Sequence, residues 1–367
     1  MKTILTSLTA ILLCSLLRAQ IVNIPDAKFK AYLVGNSSIN TNGDSEIDAA
    51  EAAVFSGTIS VGTLAIIDLT GIEAFAKIKV LDCGRNKLTS LNISKNTALT
   101  KLQCSDNLLT SLDISKNIAL TVFNCTGNKL TSLDVSKNTV LEWVDIFDNK
   151  LTSLDISKNT ALSLVWCSSN SISSLDVSKN TVLTRLFCDN NSLTSLDVSN
   201  NTALEILLCN NNKITSLDVS QHKALTGLRC DGNSLTSLDV SNGNNGILSI
   251  RIFTNNPSLN CIQVDNETWA NANWLGEKDN HAVYSNDCKT IGIDEISLDE
   301  ASITSYSKTI TIFGTTGTIT VFGLLGQQVH QSQLTSGANN ITIDGSGVYL
   351  VMVQTVKGII TKKVYLN

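Results

Sequence analysis

Seven cysteines stand on one 21-residue ruler: Cys83, Cys104, Cys125, Cys167, Cys188, Cys209 and Cys230, with Ile146 in the single gap. A row of thiols invites metal or redox chemistry, but no C-x-x-C or Cys/His cluster on the ruler supplies a zinc ligand set. Ile146 and Ile252 take the same position, which suits a small buried hydrophobe better than a ligand. A second row, Asp113, Asp134, Asp155, Asp176, Asp197, Asp218 and Asp239, begins at Asn92 and repeats the step, with Lys95, Lys116, Lys137, Lys158 and Lys179 three residues on. Such a uniform row lacks the split environments that acid–base catalysis needs. It reads as turn-capping structure, with weak cation binding the lesser alternative, and its charge argues against ice binding. The three histidines, His222, His281 and His330, fall in three separate segments. No G-x-S-x-G, P-loop or dinucleotide-binding glycine motif occurs. The chain is not expected to be an enzyme.

The elements that position these rows come from the repeat. The pentapeptides "LTSLN", "LTSLD", "ISSLD" and "ITSLD" begin at Leu88, Leu109, Leu130, Leu151, Ile172, Leu193, Ile214 and Leu235. Asn86, Asn107, Asn128, Asn149, Asn170, Asn191, Asn212 and Asn233 keep the same step. The unit L-x-x-L-x-C-x-x-N-x-L-T-S-L-D-V-S-K-N-T-x resembles the 21-residue class of leucine-rich repeats, internalin-like, in which both halves of each coil carry a short strand. The resemblance covers residues 66–256 and implies a mostly β solenoid whose coils stack in parallel about 4.8 Å apart. In such a stack the Asn amides satisfy backbone groups at the turns.

Strand alternation then sorts the side chains. With the Leu and Cys positions inward, the residue before each Cys faces out: Asp82, Gln103, Asn124, Asp145, Trp166, Phe187, Leu208 and Arg229. The column two residues earlier contains Trp143, Leu164, Arg185 and Ile206, and Phe147 lies one residue beyond the ruler. Trp143, Phe147, Leu164, Trp166, Phe187, Ile206 and Leu208 are therefore expected to form one exposed apolar patch flanked by Arg185 and Arg229. Patches of this kind mark binding surfaces, and aromatics with Arg are the side chains enriched at hot spots. The bland alternative is that the patch is covered within the chain or merely tolerated.

The ends are different. The chain has 367 residues, a formal charge of −5 and 5% aromatics, so no basic footprint for nucleic acid exists. "MKTILTSLTAILLCSLLRAQ" carries Lys2, an apolar run from Ile4 to Leu17 and a small residue at Ala19, the pattern of an export signal spanning 1–19 and cleaved at Ala19. No other segment suits a membrane span. Residues 20–65 read as a helical N-terminal cap. Within it "NTNGDSEIDAAE" resembles a calcium loop of the EF-hand type, implying Ca2+ at Asn40, Asn42, Asp44, the Glu46 carbonyl, Asp48 and Glu51. The alternative is an Asx-rich turn that caps the next helix. Residues 257–289 resemble the C-terminal cap of secreted leucine-rich repeat proteins of the Bacteroidetes. In an exported chain Cys261 and Cys288, both off the ruler, are expected to close it by a disulfide, with Trp269 and Trp274 as its core.

After a linker at 290–298, residues 299–367 alternate as short strands and read as a small β-sandwich. The segments "VFGLLGQQV", "GVYLVMV" and "KKVYLN" resemble the type A sorting domain of the type IX secretion system, although the family's Tyr-Pro-Asn-Pro opening is absent. That resemblance implies the secretion machinery as one partner and a secreted or outer-membrane-surface location in a Gram-negative bacterium. The main functional expectation is recognition or adhesion toward a protein or glycan on another surface. A structural surface-layer spacer and a glycan-binding accessory protein are the alternatives.

Overall fold

A computed structural model describes residues 20–288, 302–355 and 358–366. The signal segment 1–19 with its Ala19 boundary, and the 290–298 linker, lie outside the described residues. The described residues form two compact units that divide between Asp287 and Cys288.

In the first unit each L-x-x-L-x-C stretch contributes a three-residue strand. These are β1 (Thr58–Ser60), β2 (Val80–Asp82), β3 (Lys101–Gln103), β4 (Val122–Asn124), β5 (Trp143–Asp145), β6 (Leu164–Trp166), β7 (Arg185–Phe187), β8 (Ile206–Leu208), β10 (Gly227–Arg229) and β12 (Ile250–Ile252). They form one ten-stranded parallel sheet in that order. Pairing is in register, so Val144, Val165, Leu186 and Leu207 lie side by side down the stack. Those four and every ruler cysteine are fully buried. Each such aliphatic side chain contributes about 1.5–3 kcal/mol relative to exposure, but only once the next coil covers it.

Turns are made where the Asn ladder begins. The residue before each ladder Asn is left-handed, including Arg85, Asp106, Asp148, Ser169, Asn190 and Asn211, with φ between 52° and 55°. Gly127 takes this place in one coil, where a Cβ would also meet Asp106 Oδ1 at 2.5 Å. Asn149 shows what the ladder does. Its Nδ2 donates to Cys125 O of the preceding coil at 3.0 Å and to Ile146 O at 3.2 Å, while its Oδ1 accepts from Leu130 N at 3.0 Å.

Two expectations need correction. Both halves of every coil were expected to carry strands, but the second sheet has only four: β9 (Ser216–Asp218), β11 (Ser237–Asp239), β13 (Cys261–Gln263) and β14 (Val283–Ser285). Ladder bonds such as Thr236 N to Thr215 O and Val219 N to Asp239 O define it there. In earlier coils the half is held by turns, each Asp accepting from the Ser two residues on (Ser115 N to Asp113 Oδ1, 2.8 Å). The other correction is at the ruler's end, where the partner of Cys230 is Phe253 and Ile252 pairs with Arg229. A 3-10 turn over Asn245–Ile247 lengthens that coil by two residues and shifts the register.

Helices close the N-terminal end. In α1 (Ala27–Val34) the Asp26 side chain accepts from Lys28 N and Phe29 N, and Phe29 and Leu33 are buried. The following helix, α2 (Ala49–Val54), starts with a capping box between Asp48 and Glu51. At the other end α3 (Glu267–Asn273) leads into Trp274, which is fully packed against Phe253, Trp269 and Tyr284 at ring separations of 5.6–6.0 Å. Trp269 is 37% exposed, so only Trp274 is cap core. Cys261 and Cys288 are disulfide-bonded, as expected of an exported cap.

In the second unit β15 (Ser302–Tyr306), β16 (Thr309–Phe313) and β19 (Asn339–Thr342) form one antiparallel sheet. Another contains β17 (Gly317–Gly323), β18 (Gln328–Leu334), β20 (Gly347–Thr355) and β21 (Gly358–Leu366), in the order β18-β17-β20-β21. Ile310, Ile312, Ile319, Val321, Val351 and Val353 fill the core of this unit.

Candidate functional site

The inward packing of Val144, Val165, Leu186 and Leu207 forces their strand neighbours onto the opposite face of the sheet. There, Trp166 lies between two phenyl rings. Its centroid is 5.6 Å from Phe147 and 5.2 Å from Phe187, the latter at 71°, a near-edge contact. Trp166 is 36% exposed and Trp143 is 40% exposed. Trp143 pairs with Leu164, Leu164 with Arg185, and Arg185 with Ile206, so the second column runs unbroken beside the first. Leu208 continues the first column next to Phe187. The nine residues expected on this face are all brought onto it.

The two arginines behave differently. Arg229 donates from Nε and an Nη to both carboxylate oxygens of Asp231 at 3.1 Å, and that bond raises its pKa. It is held along its own coil. Arg185 is exposed and makes no ion pair with the described residues.

Asp145 is the residue that pattern reading misjudged. Its column faces outward, yet it is only 6% exposed. Thr126 Oγ1 donates to Oδ1 at 2.6 Å, Phe147 N donates to the same oxygen at 3.2 Å, and Asn124 Nδ2 donates to Oδ2 at 3.2 Å. Burial raises its pKa, with the Thr126 and Phe147 bonds opposing. Alternation gives its outward direction and its neighbours, Trp143 and Phe147 along the chain and Trp166 in register, but not its burial.

The other rows are structural in their contacts. Burial pushes the Cys167 thiol up to about 12, and the ladder cysteines are all free and buried. In the exposed Asp row, Asp113, Asp134, Asp155, Asp176 and Asp197 are held below the usual carboxylate range, at Asp113 by the Ser115 hydroxyl and backbone N–H, and at Asp134 chiefly by Ser136 N–H. His222 replaces a turn Asn and is buried, its Nε2 3.1 Å from Val198 O.

In the Asn40–Glu51 loop the side chains of Asn40, Asp44, Asp48 and Glu51 accept hydrogen bonds from the chain itself. Glu51 Oε1 accepts from Thr41 N, Asn42 N and Thr41 Oγ1, and its Oε2 accepts from Asp48 N. Asn40 Oδ1 accepts from Gly43 N, Asp44 Oδ1 from Glu46 N, and Asp48 Oδ1 from Glu51 N. Glu46 pairs with Lys30. Among the described residues no group of three or more His, Cys, Asp or Glu is placed to hold a metal ion. The loop makes the contacts of a helix-capping turn, with Asp48 and Glu51 closing the capping box of α2.

Residues 301–367 match the secretion system C-terminal sorting domain. No curated protein matches this chain. Among solved structures, the functional domain of InlJ from Listeria monocytogenes, described as including a cysteine ladder, is 23% identical over 95% of this chain and 98% of its own, with a TM-score of 0.51. Internalin C2 from the same organism is 18% identical over 67% of this chain and 98% of its own, with a TM-score of 0.47. Among the described residues no helix is long and apolar enough to cross a membrane. The coils and ladders give the chain a leucine-rich repeat solenoid of internalin-like fold, and the sorting domain matched at residues 301–367 marks it for export.

Proposed function

We propose that the face of β5–β8 recognises a macromolecule on another surface, without catalysis, and that adhesion or recognition is the role of the exported protein. The observation that carries this reading is the Phe147–Trp166–Phe187 ring train beside an exposed Trp143, where the Trp166 column is polar in earlier coils at Gln103 and Asn124. Large exposed rings gain most by burial against a partner and need no rearrangement to do so.

The test immobilises the full chain and its Trp166→Ala/Phe187→Ala variant and exposes both to cell-surface protein and glycan extracts. Material retained by the wild type and lost in the variant, with the melting temperature within about 2 °C, supports recognition. Equal or empty capture moves the solenoid to a structural spacer. A retained fraction that is purely saccharide identifies the glycan-binding alternative. Adding calcium or EDTA is expected to change neither capture nor melting temperature, because Glu51 is already satisfied by backbone donors. A calcium-dependent rise in melting temperature would instead make the Asn40–Glu51 loop a metal site.

A further inference from the structure

Asp145 is a carboxylate sunk into an aromatic surface without a cation. All three of its hydrogen-bond donors, Thr126 Oγ1, Asn124 Nδ2 and Phe147 N, are neutral. Among the described residues it forms no ion pair. The cations of this face are placed elsewhere. Arg229 is committed to Asp231, and Lys101 and Arg185 belong to the other column, each two coils from Trp143. Its nearest positions on the face are aromatic: Trp143 two residues before it, Phe147 two residues after it, and Trp166 as its register partner in β6.

We infer that the partner docks with a cationic side chain, an arginine guanidinium, seated against these rings within Coulombic reach of Asp145. This rests on the recognition reading above and names the chemistry of the partner. Ring faces attract cations, Trp most strongly. A carboxylate already stripped of most of its water gains more from a nearby positive charge than an exposed one, because less solvent screens the pair. A purely apolar partner would bury the charge further with no positive charge added to the three neutral donors it already has. Between the two cationic side chains, the planar guanidinium both stacks on a ring and presents N–H groups to a carboxylate, which the ammonium does less well.

The probe is Nα-acetyl-arginine amide, titrated into the full chain while the indole N–H resonances are followed by NMR, with Nα-acetyl-citrulline amide as the neutral isostere. Saturable shifts of the Trp143 and Trp166 resonances are expected with the arginine probe. Binding should be weaker by about fivefold or more for citrulline, and by a similar factor in Asp145→Asn. Equal response to citrulline overturns the inference, and so does an undiminished arginine response in Asp145→Asn, which would indicate general attraction to an acidic protein. The citrulline comparison uses only the wild type, so it stands even if the variant folds poorly. Partner capture lost in Trp166→Ala/Phe187→Ala but kept in Asp145→Asn would sink the cation and leave the recognition face intact. Capture kept in both would remove both readings.

Discussion

Asp145 ties stability to pH in a direction opposite to Asp113 and its lowered neighbours in the exposed Asp row. Burial raises its pKa in the folded state. Its contribution to stability is therefore fully present below the unfolded-state value and is lost as pH rises through the folded-state value. Asp113, Asp134, Asp155, Asp176 and Asp197 are lowered, chiefly by bonds from the Ser two residues on, and work the other way. The total profile mixes both signs, so the informative quantity is the wild-type stability minus that of Asp145→Asn. Urea midpoints measured for both proteins across the acidic range should show that difference falling with rising pH. A flat difference would mean that the carboxyl is not held in a desolvated place. The outward direction of Asp145 was legible from alternation, but its burial was not, because burial depends on how far Trp143, Phe147 and Trp166 lean over it.

At the level of the coil, the Asn149 ladder and a second buried row, Asn96, Asn117, Asn138, Asn159, Asn180 and Asn201, look alike in sequence and differ in what they carry. Asn149 Oδ1 is the acceptor for Leu130 N, so truncating Asn149 strands a buried donor. Asn159 donates to Val135 O and Asn138 O at 2.9 and 2.8 Å, and those carbonyls also accept from Asn138 N and Leu141 N. Its own Oδ1 accepts nothing from the described residues. Asn149→Ala is expected to cost about 2–3 kcal/mol, the penalty for an unsatisfied buried group plus lost bonds. Asn159→Ala strands no backbone group and is expected to cost about 1 kcal/mol. Chemical denaturation of the two variants checks the order, and equal losses would mean that the ladders are equivalent. The repeat showed both rows but not this difference, which depends on which backbone groups already have partners.

For the whole molecule, delivery and solidity are carried by the ends. The sorting domain matched at 301–367 marks the chain for export. A chain lacking residues 301–367 is expected to accumulate inside the outer membrane, and surface labelling of whole cells against fractionated extracts would show it; undiminished surface signal would refute the assignment. The sequence by itself determined the solenoid, its period, the inward cysteine ladder and the membership of the Trp166 face. A strict repeat with two-residue alternation leaves only one way to bury Leu and Cys in every coil. It also marked the off-ruler cysteines, because anything outside the period belongs to an end. Tertiary structure alone decided the rest. It confined the second sheet to four strands, moved Phe253 rather than Ile252 into the ladder through the 3-10 turn at Asn245–Ile247, and turned the Glu51 carboxylate onto backbone donors. These outcomes depend on distances between neighbouring coils and on competition for hydrogen bonds, and a periodic pattern specifies neither.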